Sequence, residues 1–330
     1  MRHMTKNWTI DAENAGKRLD VFLAEELVAT LTRSGISKQL KAKKGRVNDK
    51  IASVHRFLKI GDKVEFDMPE KQTAKAIAKE IADIRPLNII EETPEFIVID
   101  KPTGLLVHPD VHHAQGTLVD ALVAHDPKIG KIGEDPSRPG IMHRLDKEVS
   151  GLMVIAKTQD AFDSLKKQFA EHTVDKRYLA LVHGEMRQDE GDIKFRIARS
   201  TSKGRMAAHP ESEEVGRAAW THYKTLQRFH NATLVELNIF SGRTHQIRAH
   251  MLAFSHPVIG DTLYKRRLED RKIAAPRLML QSIHLSFIDP SSGERRTYDL
   301  PPVKEFDVLT KQFKSSSQKV LKQDTNEVIQ

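Results

Sequence analysis

The chain has 330 residues, 39% hydrophobic and 30% charged, as in a soluble globular protein with room for a large core and a smaller companion domain. It contains no cysteine, which excludes disulfides, thiol catalysis and zinc–thiolate sites, and no apolar run reaches the roughly 18–20 residues of a membrane span. A net charge of +8 favours a polyanionic partner, and the lack of an apolar leader core near the N-terminus gives the expectation of a cytoplasmic protein.

The first 70 residues read as a compact unit. "RLDVFLAEEL" sets Leu19, Phe22, Leu23 and Leu27 on one helical face, and "SGISKQLKAKKG" predicts a second short helix, capped by Ser34 or Ser37 and stopped at Gly45. "RVNDKI" predicts strand, turn and strand, and "LKIGDKVEFDM" a further strand after a Gly-Asp turn. Between Arg33 and Lys50 stand Arg33, Lys38, Lys41, Lys43, Lys44, Arg46 and Lys50 against Asp49 alone, so +6 of the chain's +8 lies here. A solvated helix face alternates signs, whereas this segment does not, and it is expected to contact nucleic acid. Polar, Ala-rich "KQTAKAIAKE" marks a linker over 71–85.

From about residue 86 to 303 the texture is mostly β: "NIIEETPEFIVIDKP", "GLMVIAKT", "RYLALVHGEM", "ATLVELNIFSG", "RLMLQSIHLSFIDP" and "RRTYDLP". "DAFDSLKKQFAEH" and "HQIRAHMLAF" are helix candidates. Strands that do not alternate one-for-one with helices predict an α+β fold with a mixed or antiparallel sheet. Residues 304–330 are expected to form a polar, fraying tail.

In "IMHRLDKEVSGLMVIAKT", His143, Arg144 and Asp146 sit where an apolar strand begins. Burying a carboxylate there is costly without a compensating charge or hydrogen bonds. Other chemistries lack their signatures. His108, His112 and His113 cluster in a loop and His245 and His250 are five apart, but no His pair is four apart with a Glu between, so no metal is expected. Neither a Gly-x-Ser-x-Gly elbow nor a GxxxxGK[ST] loop is present, and nothing points to a cofactor. What remains is Asp146, with arginines as available partners.

"HRLDKEVSGLMVIAKT", "KRYLALVHG" and "SGRTHQIRAHM", in this order, resemble the three motifs of the RluA-type RNA pseudouridine synthases. "EFIVIDKPTGLLVHP" and "GTLVDALVAH" resemble that family's entry strands and helix, and residues 16–70 resemble the alpha-L (S-four-like) RNA-binding domain fused to it. The resemblance implies a catalytic domain over 86–303 and a cofactor-free isomerisation of uridine, with structured large-subunit ribosomal RNA as substrate. It implies Asp146 as nucleophile, Tyr178 stacking on the uracil and placed to take the C5 proton, and Arg248 pairing with Asp146, with Arg243 as the competing candidate. Arg144 would grip RNA beside the flipped nucleotide, Arg243 would touch phosphate or backbone, and His143 would brace the loop. A monomer without protein partners is expected. A non-catalytic RNA-binding assembly factor is the alternative reading, and a metal-dependent hydrolase a remote third.

The chain departs from the family pattern in three places. Glu148-Val149 stands where Asp-Thr is common, Lys265, Arg266 and Arg267 follow "GDTLY", and Asn48-Asp49 replaces Asn-Gly.

Overall fold

The structure, a computed structural model, describes residues 5–27, 36, 39–68, 87–109, 116–200, 204–265 and 273–314. They pack into two compact units, one drawn from Met1–Arg85 with His108–His125 and the other from Pro86–Val107 with Asp126–Gln330.

The first unit holds strands β1 (Thr5–Thr9), β2 (Gly45–Val47), β3 (Lys50–Ile51) and β4 (Lys63–Asp67), all antiparallel in the order β1-β4-β2-β3. Helix α1 (Leu19–Glu26) turns Leu19, Phe22 and Leu23 into a core shared with Val47, Leu58, Val64 and Phe66. Residues 36 and 39–41 are helical, and Ile36 and Leu40 join the same core. The candidate caps Ser34 and Ser37, like the linker 71–85, lie outside the described residues. Asn48 and Asp49 both adopt positive φ, 51° and 63°, the backbone a two-residue type I′ turn demands. The sheet begins upstream of residue 16, where the resemblance to the RNA-binding domain begins, because β1 pairs along all of β4 and Ile10 is buried. Helix α2 (Leu118–His125) is capped by Asp120, whose carboxylate accepts from the Thr117 amide and hydroxyl, both at 2.8 Å.

The second unit is built on a ten-stranded mixed sheet. Its strands are β5 (Ile89–Glu92), β6 (Phe96–Lys101), β7 (Ser150–Ala156), β8 (Asp175–His183), β9 (Glu190–Arg199), β10 (Met206–His209), β11 (Arg217–Phe229), β12 (Ala232–Ile239), β13 (Leu280–Ile288) and β14 (Arg295–Asp299). The order is β10-β9-β11-β12-β8-β13-β7-β6-β5, with β14 paired to β13, and among the described residues only the β13–β7 contact is parallel. All seven residues of β7 are buried. Gly151 makes the parallel contact possible: a Cβ there would stand 2.1 Å from the Ser282 carbonyl oxygen.

Helix α3 (Gln159–Ala170) buries Phe162 and Leu165, capped by the Thr158 hydroxyl, and helix α4 (Gln246–Ala253) contacts β9, β10 and β11. Strands β9, β10 and β11 fall outside the segments whose patterning predicted strands. On β11 only Ala219, Thr221 and Tyr223 alternate inward before the register shifts between Thr225 and Gln227, so the apolar signal is short and interrupted. The expected polar tail is corrected for 304–314: these residues form helix α5, which seats Phe306, Leu309 and Phe313 against Leu179, Leu181 and Phe229. Their i, i+3, i+7 spacing buries one stripe while the polar residues face water.

Candidate active site

Asp146 sits in the turn that leads into β7. Leu145 and Val149 anchor the turn in the core, and the Val149 amide closes it by donating to the Asp146 carbonyl at 3.1 Å. The Asp146 side chain stays 13% exposed. Residues 101–105 grip the turn's backbone from the other side. The Gly104 amide donates to the Lys147 carbonyl and the Thr103 hydroxyl to the Glu148 carbonyl, each at 2.7 Å. Lys101, fully buried at the end of β6, donates from Nζ to the carbonyls of Pro102 (2.9 Å), Leu105 (2.8 Å) and Lys147 (3.4 Å). Burial pulls its pKa down to about 7, opposed by the charges of Asp146 and Glu148.

Arg248 approaches from α4 and is 2% exposed. Its Nη1 lies 3.3 Å from both Asp146 Oδ2 and Glu148 Oε2, while Nε and Nη2 hold the two oxygens of Asp261 at 2.7 and 2.9 Å. Burial works against the guanidinium charge, but the hydrogen bonds and charge of Asp261, with the charges of Asp146 and Glu148, hold its pKa above the ordinary arginine value. Asp261 is itself fixed, since the amides of Leu263 and Tyr264 donate to its Oδ1. Gly260 lets the chain reach this position, because a Cβ there would meet the Arg277 carbonyl oxygen at 2.0 Å.

Tyr178 lies on β8, paired with Leu237 on one side and Ser282 on the other, and is 6% exposed. Burial, then the charge of Asp146, raises its hydroxyl pKa well above that of a free phenol, although a hydrogen bond with Ser282 opposes the rise. The structure thus brings Asp146, Arg248 and Tyr178 into one electrostatic neighbourhood. Arg243 does not reach Asp146: its Nε donates to the Ala218 carbonyl at 3.2 Å and its amide to Gln246 Oε1. Arg144 is exposed on the Asp146 loop. His143 accepts from the Val154 amide at 3.0 Å and stacks on Phe169, so it ties the segment to β7. Lys41, Lys43, Lys44 and Arg46 are exposed on the small unit, and Arg33 and Lys38 lie outside the described residues. Sequence reasoning did not single out Lys101, Asp261 or Tyr264 for the site. "DKP" and "GDTLY" carried the only signal, a charge beside a turn.

A family model described as RNA pseudouridylate synthase matches residues 95–253. An uncharacterized RNA pseudouridine synthase of Synechocystis is 36% identical over 89% of this chain and 88% of its own. The ribosomal large subunit pseudouridine synthase D of Zymomonas mobilis is 34% identical over 95% of this chain and 99% of its own. The chain belongs to the RluA-type RNA pseudouridine synthases. It is therefore an isomerase acting on RNA. Human RNA pseudouridylate synthase domain containing 1 has a similar structure, with a TM-score of 0.53 and 26% identity over 66% of this chain and 84% of that one. The small antiparallel sheet at the N-terminus is consistent with an S-four-like RNA-binding module. Among the described residues, no helix is long and apolar enough to cross a membrane.

Proposed function

We propose that this isomerase converts specific uridines of large-subunit ribosomal RNA to pseudouridine, with Asp146 as the nucleophile. The observation that carries the reading is the Asp146–Arg248 contact: a mostly enclosed carboxylate 3.3 Å from a guanidinium that is itself locked by Asp261. A carboxylate sealed from water by an incoming base loses its hydration, and a fixed positive charge offsets that loss. The substrate reading rests on relatives named for the ribosomal large subunit, such as those of Zymomonas mobilis and Haemophilus influenzae.

In the reaction the N1–C1′ bond breaks, the uracil turns, a C5–C1′ bond forms, the C5 proton leaves and N1 gains one. Asp146 faces the ribose, and the Tyr178 ring stacks on the uracil. With its pKa raised, Tyr178 is a phenol at neutral pH, so it accepts the C5 proton only while releasing its own to water. Arg144 holds the RNA beside the extruded nucleotide, whose unstacking costs a few kcal/mol. The basic segment of the small unit, between Arg33 and Lys50, grips phosphates of the folded target.

The test incubates the protein with ribosomal RNA from cells lacking it and maps pseudouridine chemically. Wild type is expected to form product, and Asp146→Asn to bind RNA without product. Product from Asp146→Asn removes the nucleophile assignment, and no product from wild type removes the ribosomal substrate.

A further inference from the structure

The turn into α4 leaves His245 at φ 53°, a left-handed conformation uncommon for a residue with a Cβ. Each ring nitrogen faces a polar group there. Nδ1 lies 3.0 Å from the Tyr264 hydroxyl, and Nε2 lies 3.9 Å from Asp146 Oδ2.

Tyr264 determines which nitrogen carries the proton. Its ring is 1% exposed, and its oxygen already accepts the Met206 amide at 3.0 Å. A phenol has one hydrogen to give, and burial raises its pKa to about 12, so that hydrogen stays in place. Its acceptor among the described residues is His245 Nδ1. Burial, aided by the charge of Arg248 and opposed in part by that of Asp146, lowers its pKa and so favours the neutral imidazole. With Nδ1 accepting, the hydrogen sits on Nε2, directed at Asp146.

We propose that His245 is a positioning residue for the isomerisation: Tyr264 sets its tautomer, and the Nε2 hydrogen steadies Asp146 through Oδ2. Arg248 Nη1 addresses the same oxygen, so both donors converge on Oδ2 and leave Oδ1 as the oxygen turned to the ribose. The 3.9 Å gap is longer than a hydrogen bond, and such contacts in unliganded sites tighten when substrate closes over them. Glu148 and Asp261 also face this cluster, but each is held on Arg248. The inference rests on Asp146 being the nucleophile.

The experiment measures kcat and KM for pseudouridine formation by wild type, His245→Ala, His245→Gln and Asp146→Asn, with the neutral imidazole tautomer read by nitrogen-15 NMR of the full-length protein. A lost hydrogen bond to a charged group corresponds to about 10- to 100-fold. His245→Ala is expected to lower kcat by about that factor with KM little changed. His245→Gln, whose amide restores an N–H near Nε2, is expected to recover most of it. Wild type is expected to show the Nε2–H tautomer, and Tyr264→Phe to shift it toward a mixture. Equal loss in Ala and Gln, loss confined to KM, no loss in either, or an Nδ1–H tautomer in wild type each overturns the proposal while Asp146→Asn remains inactive. An active Asp146→Asn instead overturns the nucleophile reading beneath it.

Discussion

Asp261 holds Arg248 with both carboxylate oxygens, at 2.7 and 2.9 Å, in an orientation that sets Nη1 of the guanidinium against Asp146 and Glu148. The arginine is thereby a fixed charge rather than a mobile one, and its fork geometry is what a bidentate carboxylate matches.

Asp261→Asn keeps the shape but removes one charge and forces an amide against the guanidinium. Breaking a buried pair costs about 3–5 kcal/mol, so the denaturant midpoint should fall, and the catalytic rate of the remaining folded protein should drop by roughly tenfold or more as Arg248 loses its aim. Unchanged turnover in folded Asp261→Asn would show that Arg248 needs no such brace.

Arg248→Lys retains charge but replaces a planar fork by a point charge on a flexible stem. It cannot serve Asp261 and Asp146 together, and product formation is expected to fall by about 100-fold with RNA affinity retained. A filter-binding assay beside the pseudouridine map checks both halves.

Lys101 tests the clamp behind Asp146. Lys101→Met fills similar space but abandons the carbonyls of Pro102, Leu105 and Lys147. The Lys147 carbonyl keeps the Gly104 amide, whereas those of Pro102 and Leu105 are left unmet at about 1–3 kcal/mol each, so a combined loss of about 2–6 kcal/mol is expected in urea unfolding, with reduced turnover from a loosened Asp146 turn. Wild-type stability in this variant would mean that the carbonyls find other donors.

His143 gives a pH signature. Burial, reinforced by the nearby charge of Lys176, pulls its pKa down to about 3, against an ordinary value of 6.5. Between these values the unfolded chain binds a proton that the folded one does not. This histidine's contribution is therefore whole above pH 6.5, and stability declines as the pH falls from there toward 3. At pH 5 the decline should be about 1–2 kcal/mol. His143→Gln keeps an acceptor for the Val154 amide and should flatten that part of the stability–pH curve. An equally steep curve in the variant would assign the decline elsewhere.

Lys41, Lys43 and Lys44 are exposed on the small unit. Their joint replacement by Gln should weaken RNA binding and make the slope of log K against log salt shallower by about two. Turnover at saturating RNA should be kept. An unchanged slope would move the phosphate contacts off this segment.

Much of the architecture is legible in the chain because burial imposes a period. Strand β7 reads directly as an unbroken apolar run, α1 and α3 as stripes spaced by three and four, and Asn48-Asp49 as a tight hairpin. Strand β11 does not, since it buries one face over a few residues and then shifts register. Helix α5 hides its stripe of Phe306, Leu309 and Phe313 among polar neighbours, and only a partner surface shows that the stripe is covered.

Local pattern in the amino-acid chain alone establishes the α+β class and the basic segment near the N-terminus, and the resemblance of its three motifs to a known family supplies the candidates Asp146, Tyr178 and Arg248. Tertiary structure alone decides which arginine faces Asp146, across 102 positions, and which carboxylate immobilises it. It alone brings Lys101 under the Asp146 turn and Tyr264 against His245. The reason is physical. Helix and strand periodicities act over a few residues, whereas an ion pair depends on where the folded backbone places two side chains, and spacing along the chain does not encode that distance.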